Sequence, residues 1–314
     1  MPYRFTLKQS VAANARRVAT EQIDRALACC DAGGDPEQTI HDLRTYCKKL
    51  RGLVRLVRGE LEKSGRYEAE NARFRDAARG LGAARDSAAM IGTYDTVMAH
   101  FHDEVDRARF ASIRRALTLG RRAVEAVDDH GARIARFRDE MADALAGVDN
   151  WRFNQDGFEA VRPGFIGTYR RGRNAMRAAY DQPTAERFHE WRKLAKYHWY
   201  HLRLLERVWK PELEARHKTA KTLGDLLGDH HDLAVLRQYL AARKSSAANQ
   251  AMIALIDRRA AELVGQARIV GDRLYATKPK SFEADIERWW QARLDEIAAA
   301  RGPLLSGPTG LTAE

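Results

Sequence analysis

HDLRTYCKKLRGLVRLVR, residues 41–58, and HEWRKLAKYHWYHLRLLE, residues 189–206, read as two versions of one helix. Both open on H[DE]xR. Counted from the histidine, Arg44 and Arg192 share offset three, Lys48 and Lys196 offset seven, and Arg55 and Arg203 offset fourteen. At about 100° per residue these four offsets fall within an arc of about 60°. One face of each helix, headed by His41 or His189, is thus a ladder of imidazole, guanidinium, ammonium and guanidinium groups, with Arg51 and Lys193 close beside it. A single charged stripe is ordinarily the solvated face of a helix. The same stripe at the same spacing in two places points to a shared function.

The likeness continues downstream, where ARGLGAARDSAAMIGTYDTV (78–97) matches KTLGDLLGDHHDLAVLRQYL (221–240), each carrying LGxxxD and ending that motif at Asp86 and Asp232. The midpoint between His41 and Asp86 falls at Ser64, beside Gly65, and that between His189 and Asp232 beside Lys210 and Pro211, so both are turn candidates. In an antiparallel hairpin, residues equidistant from the turn lie level. Asp86 and Asp232 are therefore expected across from their histidines, orienting them or a neighbouring arginine.

Outward from the repeat the chain reads as helix throughout. The segments Val11 to Ala32, Pro36 to Lys63, Tyr67 to Ala99, Asp103 to Gly147, Gly164 to Tyr180, Thr184 to Lys210 and Glu212 to Lys244 are rich in Ala, Leu, Arg and Glu, with apolar residues three and four apart. Periodicity is expected to stop at GGDPEQ (33–38), VRPGF (161–165), DQPT (181–184) and TKPK (277–280). Strand alternation is absent, and the tail 301–314, without core residues or charge pattern, is expected to be disordered.

Over 314 residues, 54 Lys plus Arg outnumber 43 Asp plus Glu, for a formal charge of +11, which favours polyanionic partners. Cys29, Cys30 and Cys47 show neither CxxC spacing nor an even framework, so neither disulfides nor a zinc site is expected, and a reducing cytoplasm fits. No apolar run approaches the roughly 18 residues of a membrane span.

These residues resemble the CHAD family, whose name abbreviates conserved histidine α-helical domain. The resemblance covers roughly residues 4–300, in two helical halves of about 4–147 and 150–300. In the second half, RFHEWRKLAKYHWYHLRLLE, preceded by GTYRRGRNAM (167–176) and followed by LGDLLGDHHDLAVL, is similar to the family's motif set in its order. The first half departs more: TYCKKLRGL stands where such proteins usually show a run closer to VxxRRLR, and Ser87 replaces an aliphatic or acidic residue. The resemblance implies an all-α fold of two pseudo-twofold-related antiparallel four-helix bundles, joined as one unit around a central basic channel. It also implies inorganic polyphosphate as the ligand and no intrinsic catalysis; no cofactor is expected, and binding would serve storage, targeting of this cytoplasmic protein to polyphosphate granules, or regulation of a partner.

The chemistry agrees with that ligand. Polyphosphate carries about one charge per phosphate and no bases, so its receptor needs repeated cationic donors: arginine as a fork for two oxygens, lysine as a point charge, histidine as a titrating donor. The expected contacts are His41, Arg44, Lys48, Arg51 and Arg55 in the first half, and His189, Arg192, Lys193, Lys196 and Arg203 in the second. Arg171 and Arg173, in TYRRGRNAM, are added, with Arg17 as a first-half counterpart.

Two other classes compete. DHHD (229–232) with His189 upstream suggests a metal-dependent phosphohydrolase of the HD type, but LAVLRQYL after it offers no further ligand and Asp257 is distant. The excess of positive charge suggests nucleic acid, yet no helix-turn-helix, zinc-finger or RNA-recognition signature is present. Glu186 and His189 make a single ExxH where a di-iron bundle needs two, and the ExExK motif of tunnel polyphosphatases is missing. Trp191, Trp199, Trp289 and Trp290 are read as packing residues.

Overall fold

The computed structural model describes residues 3–126 and 129–300, with the side chains of 83–88 and 125 outside the description. Asp86 and the tail 301–314 therefore lie outside the described residues. Within them the protein is all-α. The first half runs α1 (Val11–Asp31), α2 (Pro36–Leu56), α3 (Arg58–Lys63), α4 (Tyr67–Gly80), α5 (Ala83–His100), a 3-10 turn (Arg107–Phe110), α6 (Ala111–Glu125) and α7 (His130–Val148). The second runs α8 (Gly157–Asp181), α9 (Ala185–Leu204), α10 (Lys210–Ala241), α11 (Ala247–Leu274) and α12 (Pro279–Ala299).

The two ladder helices begin where capping chemistry starts them. Asp35 Oδ2 accepts from the Gln38 N–H at 2.9 Å with Pro36 at the first helical position, and Thr184 Oγ1 accepts from the Arg187 N–H at 3.3 Å. Both hairpin turns fall at the midpoints read from the repeat. Gly65, at φ 69°, takes the left-handed backbone between α3 and α4, and Pro211 stands at the start of α10.

α1 packs on α2, α2 on α4, α4 on α7 and α7 back on α1, closing a four-helix ring. In the second half α8 packs on α9, α9 on α10 and α10 on α11, while Tyr169 and Tyr180 of α8 donate to backbone carbonyls of Leu274 and Val264 on α11. A core from Phe5, Val18 and Leu50 to Trp191, Phe165 and Phe282 runs through both halves without a break. The hinge between them is tied down. Glu60, 2% exposed, accepts from the Asn154 and Gln155 N–H groups at 2.5 and 3.0 Å, and Asp156 accepts from the Val11 N–H at 2.6 Å.

Several sequence expectations change, and Pro36 to Lys63 divides at Val57 into α2 and α3. VRPGF does not stop a helix: α8 runs through Pro163. Glu159, whose carbonyl loses its i+4 donor there, and Pro163 are both exposed, so water can satisfy the carbonyl. The next residue must be glycine, because a Cβ on Gly164 would lie 2.0 Å from the Leu56 carbonyl oxygen. The segment Tyr67 to Ala99 is two helices rather than one, broken at Leu81 and Gly82, and Asp103 to Gly147 divides into the 3-10 turn, α6 and α7. Nor does the first half keep to itself: α5 and α6 pack against α10 and α11. There Tyr94, Val97, Met98 and Phe110 share a second core with Leu233, Leu236, Leu240 and Met252.

Candidate anion-binding site

Arg44, Lys48, Arg51 and Arg55 of α2 form one wall of a cleft of about 460 Å3. α4 supplies a second wall with Asn71, Arg75, Ala78 and Arg79, and α9 a third with His189 and Lys193. Seven arginine and lysine side chains line this space, with no carboxylate among the described lining residues. Asp76, at its edge, accepts from Arg75 at two distances of 2.8 Å and stands 3.4 Å from Arg79.

Aromatic stacking fixes part of this wall. The guanidiniums of Arg51 and Arg55 lie over the Tyr197 ring, at 5.7 and 4.3 Å from its centroid, and the Nε of each is buried without a hydrogen-bond partner among the described residues. Burial pulls the Arg51 guanidinium below its usual range, Tyr197 counters this, and Arg55 and Arg75 lower it further. Arg171 extends the positive region: burial lowers it first and Arg58 and Arg55 lower it too, while its Nη2 donates to Thr168 Oγ1 at 3.3 Å. Burial comes first in both shifts, and the neighbouring arginines add to it, so these guanidiniums sit in a strongly positive environment.

His189, expected as a titrating donor, lies against a second histidine. Its Nδ1 is 3.2 Å from His231 Nδ1, with ring centroids 4.3 Å apart. Burial lowers its pKa to about 4, with His231, Arg192 and Lys193 acting in the same direction and Glu190 opposing, so the unliganded imidazole is neutral at pH 7. Asp232 is not the residue level with it. The helix offset brings His231 there, and Asp232 instead lines a separate cavity of about 260 Å3 with Asp229 and Arg259.

The remaining candidates divide. Arg192 and Lys196 lie against α10, where Gly228 and Gly224 make room: a Cβ at these positions would sit 3.6 Å from Arg192 Nε and 3.3 Å from Lys196 Cγ. Lys196 is lowered mainly by burial, with Arg192 and Lys221 adding to it and Asp225 and Asp232 opposing. Arg203 pairs with buried Glu206, which also holds Arg4 at 3.2 Å. His41 is exposed and outside the cleft lining. Arg17 is engaged locally, with the Arg4 carbonyl and Asn14 each at 2.9 Å and Glu21 at 3.0 Å. Arg173 sits two residues beyond Arg171, turned about 200° around α8, and does not join it.

Sequence reasoning missed Arg75 and Arg79. They stand one turn apart on α4 in the same strip as Asn71 and Ala78, and their i, i+4 spacing is the signal that could have found them. Asp257 accepts from Arg237 at 2.7 and 3.2 Å, and among the described residues no three His, Cys, Asp or Glu side chains group as metal ligands. No helix among the described residues is long and apolar enough to cross a membrane.

A family model described as CHAD domain matches residues 17–241, ending at the last residue of α10 and leaving α11 and α12 outside it. No curated protein matches the chain. With a match over most of its length, and the histidine-headed cationic helices that first suggested the resemblance, the chain belongs to the CHAD domain family.

Proposed function

We propose that the protein binds inorganic polyphosphate in the cleft between α2, α4 and α9, as a binding module that carries out no chemical step. The observation that carries this reading is seven arginine and lysine side chains around about 460 Å3, with no carboxylate among the described lining residues. Such a site repels cations and suits a ligand with a charge on every repeating unit. Membership of the CHAD family supports the same ligand.

The wider architecture we infer is a pair of pseudo-twofold-related bundles. Gly52 and Tyr200 are separated by 148 residues, the same offset as His41 and His189, and a Cβ on Gly52 would lie 2.8 Å from Tyr200 Cβ. Contact between equivalent residues is what a twofold axis produces. Likewise Gly82 and Gly228, equivalent in LGxxxD, face the equivalent Arg44 and Arg192. Accumulation of the protein on polyphosphate granules is the cellular expectation.

Calorimetric titration with long-chain polyphosphate, pyrophosphate and duplex DNA at one salt concentration tests the class, and tight binding is expected for the long chain alone. Equal or tighter binding of DNA would replace this reading with a nucleic-acid one. Metal-dependent release of orthophosphate that vanished in Asp232→Ala would replace it with hydrolysis.

A further inference from the structure

Tyr197 carries no charge and has no place in the cationic ladders. On α9 it stands two turns beyond His189 and one beyond Lys193, continuing the strip that this helix turns to the cleft. Gly52 and Tyr200 bring α2 and α9 together one turn further on, where a Cβ on Gly52 would also meet the Tyr3 hydroxyl at 3.1 Å. At this approach the half-buried Tyr197 ring faces two guanidiniums of α2, Arg55 at 4.3 Å and Arg51 at 5.7 Å from its centroid.

Arg51 and Arg55 are four residues apart on one helix, where like charges repel. Burial adds to that cost and is the main cause lowering Arg51, with Tyr197 opposing it. A carboxylate in place of the ring would relieve the repulsion by occupying the forks and cancelling their charge. The π face of a tyrosine relieves it and leaves both positive charges in place. Repeat symmetry does not call for this arrangement. Counted from His41 and His189, offset eight is Lys49 in α2 and Tyr197 in α9, and offset ten is Arg51 in α2 and Trp199 in α9. The two helices thus differ at the positions that put a ring against two guanidiniums.

Resting on the polyphosphate reading of the cleft, we propose that Tyr197 is a positioning residue for polyphosphate, its ring holding the Arg51 and Arg55 forks in the cleft wall. Tyr197 itself touches no phosphate. It acts through the two arginines, which meet the chain already ordered. A long side chain that the ligand must immobilise lowers affinity, and the ring removes that cost from two of them at once.

Titrating the full chain with long-chain polyphosphate at two salt concentrations separates position from charge. Tyr197→Leu should weaken binding about tenfold with an unchanged salt slope, because every cation remains. Tyr197→Phe keeps the ring and should bind within about twofold of the native chain. In a chain that already carries Arg51→Gln and Arg55→Gln, Tyr197→Leu should change affinity by less than about twofold, since the ring then has nothing to hold; a general loosening of α9 would weaken both backgrounds alike. The arginine Nε–H resonances of the unliganded chain give a second measurement. Those of Arg51 and Arg55 feel the ring, and both should move in Tyr197→Leu and stay in place in Tyr197→Phe. Native affinity in Tyr197→Leu, a loss that persists in the glutamine background, or resonances that do not move overturns the proposal and leaves the polyphosphate reading standing. Failure of long-chain polyphosphate to bind the native chain overturns both.

Discussion

His189 faces His231, Arg192, Lys193 and Glu190, and burial with three of these neighbours holds its pKa near 4 in the free protein. A phosphate oxygen beside the ring favours imidazolium, so the bound-state pKa must exceed the free one. Binding then takes up a proton, and affinity rises as pH falls through the bound-state pKa, levelling off once the free imidazole also titrates near 4. Calorimetry in buffers of different ionisation enthalpy should detect that uptake, and His189→Ala should remove it at a cost of at most about 1.5–3 kcal/mol in affinity. An unchanged proton count in the variant would remove His189 from the contact. Arg51→Glu with Arg55→Glu should act more strongly, because both forks are lost and two carboxylates enter the wall; a loss beyond about 100-fold, or about 2.7 kcal/mol, is expected in the same titration. The cationic character of these residues was legible from their spacing. The neutral state of His189 was not, since it depends on His231 being brought from 42 residues away and on the burial that follows.

At the scale of helices, the repeat read from sequence predicts turns well and bends poorly. Capping residues and Gly65 act locally, so Asp35, Thr184 and the two hairpin turns could be placed from the chain alone. LGxxxD, by contrast, occurs in both halves, yet it lies within the continuous α10 in one and at the break between α4 and α5 in the other. Beyond that break α5 packs on α10, a tertiary contact with no local signal. Pro163 misled for the opposite reason: its local rule was overridden by the fit of α8 against the α2–α3 joint. This joint makes its own prediction. Gly164→Ala would place a methyl 2.0 Å from the Leu56 carbonyl oxygen and 2.3 Å from that of Arg55, both rigid backbone atoms. Overpacking of this kind should destabilise by about 3 kcal/mol, read as a lower denaturant midpoint. An unchanged midpoint would mean that α8 does not approach α2 and α3 so closely.

Across the whole molecule, α9 buries two histidines in their neutral state, and His201 joins the two halves through Gly52. His201 and His198 of α9 are both 0% exposed; His201 Nε2 donates to the Gly52 carbonyl at 3.0 Å, and burial lowers its pKa to about 3 and that of His198 well below the usual range. Their folded pKa values lie below the unfolded value near 6.5, so the stability they carry is complete above that pH and falls as pH drops towards 3. Each histidine contributes up to about 1.4 kcal/mol per pH unit in that window. Between pH 6.5 and 5, above the range of most carboxylates, thermal melts should already show a falling Tm, and His198→Phe should flatten the slope. A constant Tm there would contradict the buried neutral pair.

Ligand binding draws on the same whole-molecule charge. A chain of phosphates in the cleft releases its condensed counterions as arginine and lysine replace them, so affinity should fall linearly in log salt. If the seven lining cations each neutralise one phosphate, the slope at the single-strand value of about −0.7 per phosphate is about −5. A ligand too short to reach all three walls cannot release as many ions, so pyrophosphate should bind poorly and with a shallower slope. Affinity should grow with chain length until α2, α4 and α9 are spanned, and more slowly afterwards, as further phosphates add only alternative registers. Titrations of chains of increasing length at two salt concentrations measure both quantities. If triphosphate bound as tightly as a chain of many tens of phosphates, with the same salt slope, the cations would be acting as a small closed pocket and not as a surface that a long polyanion follows.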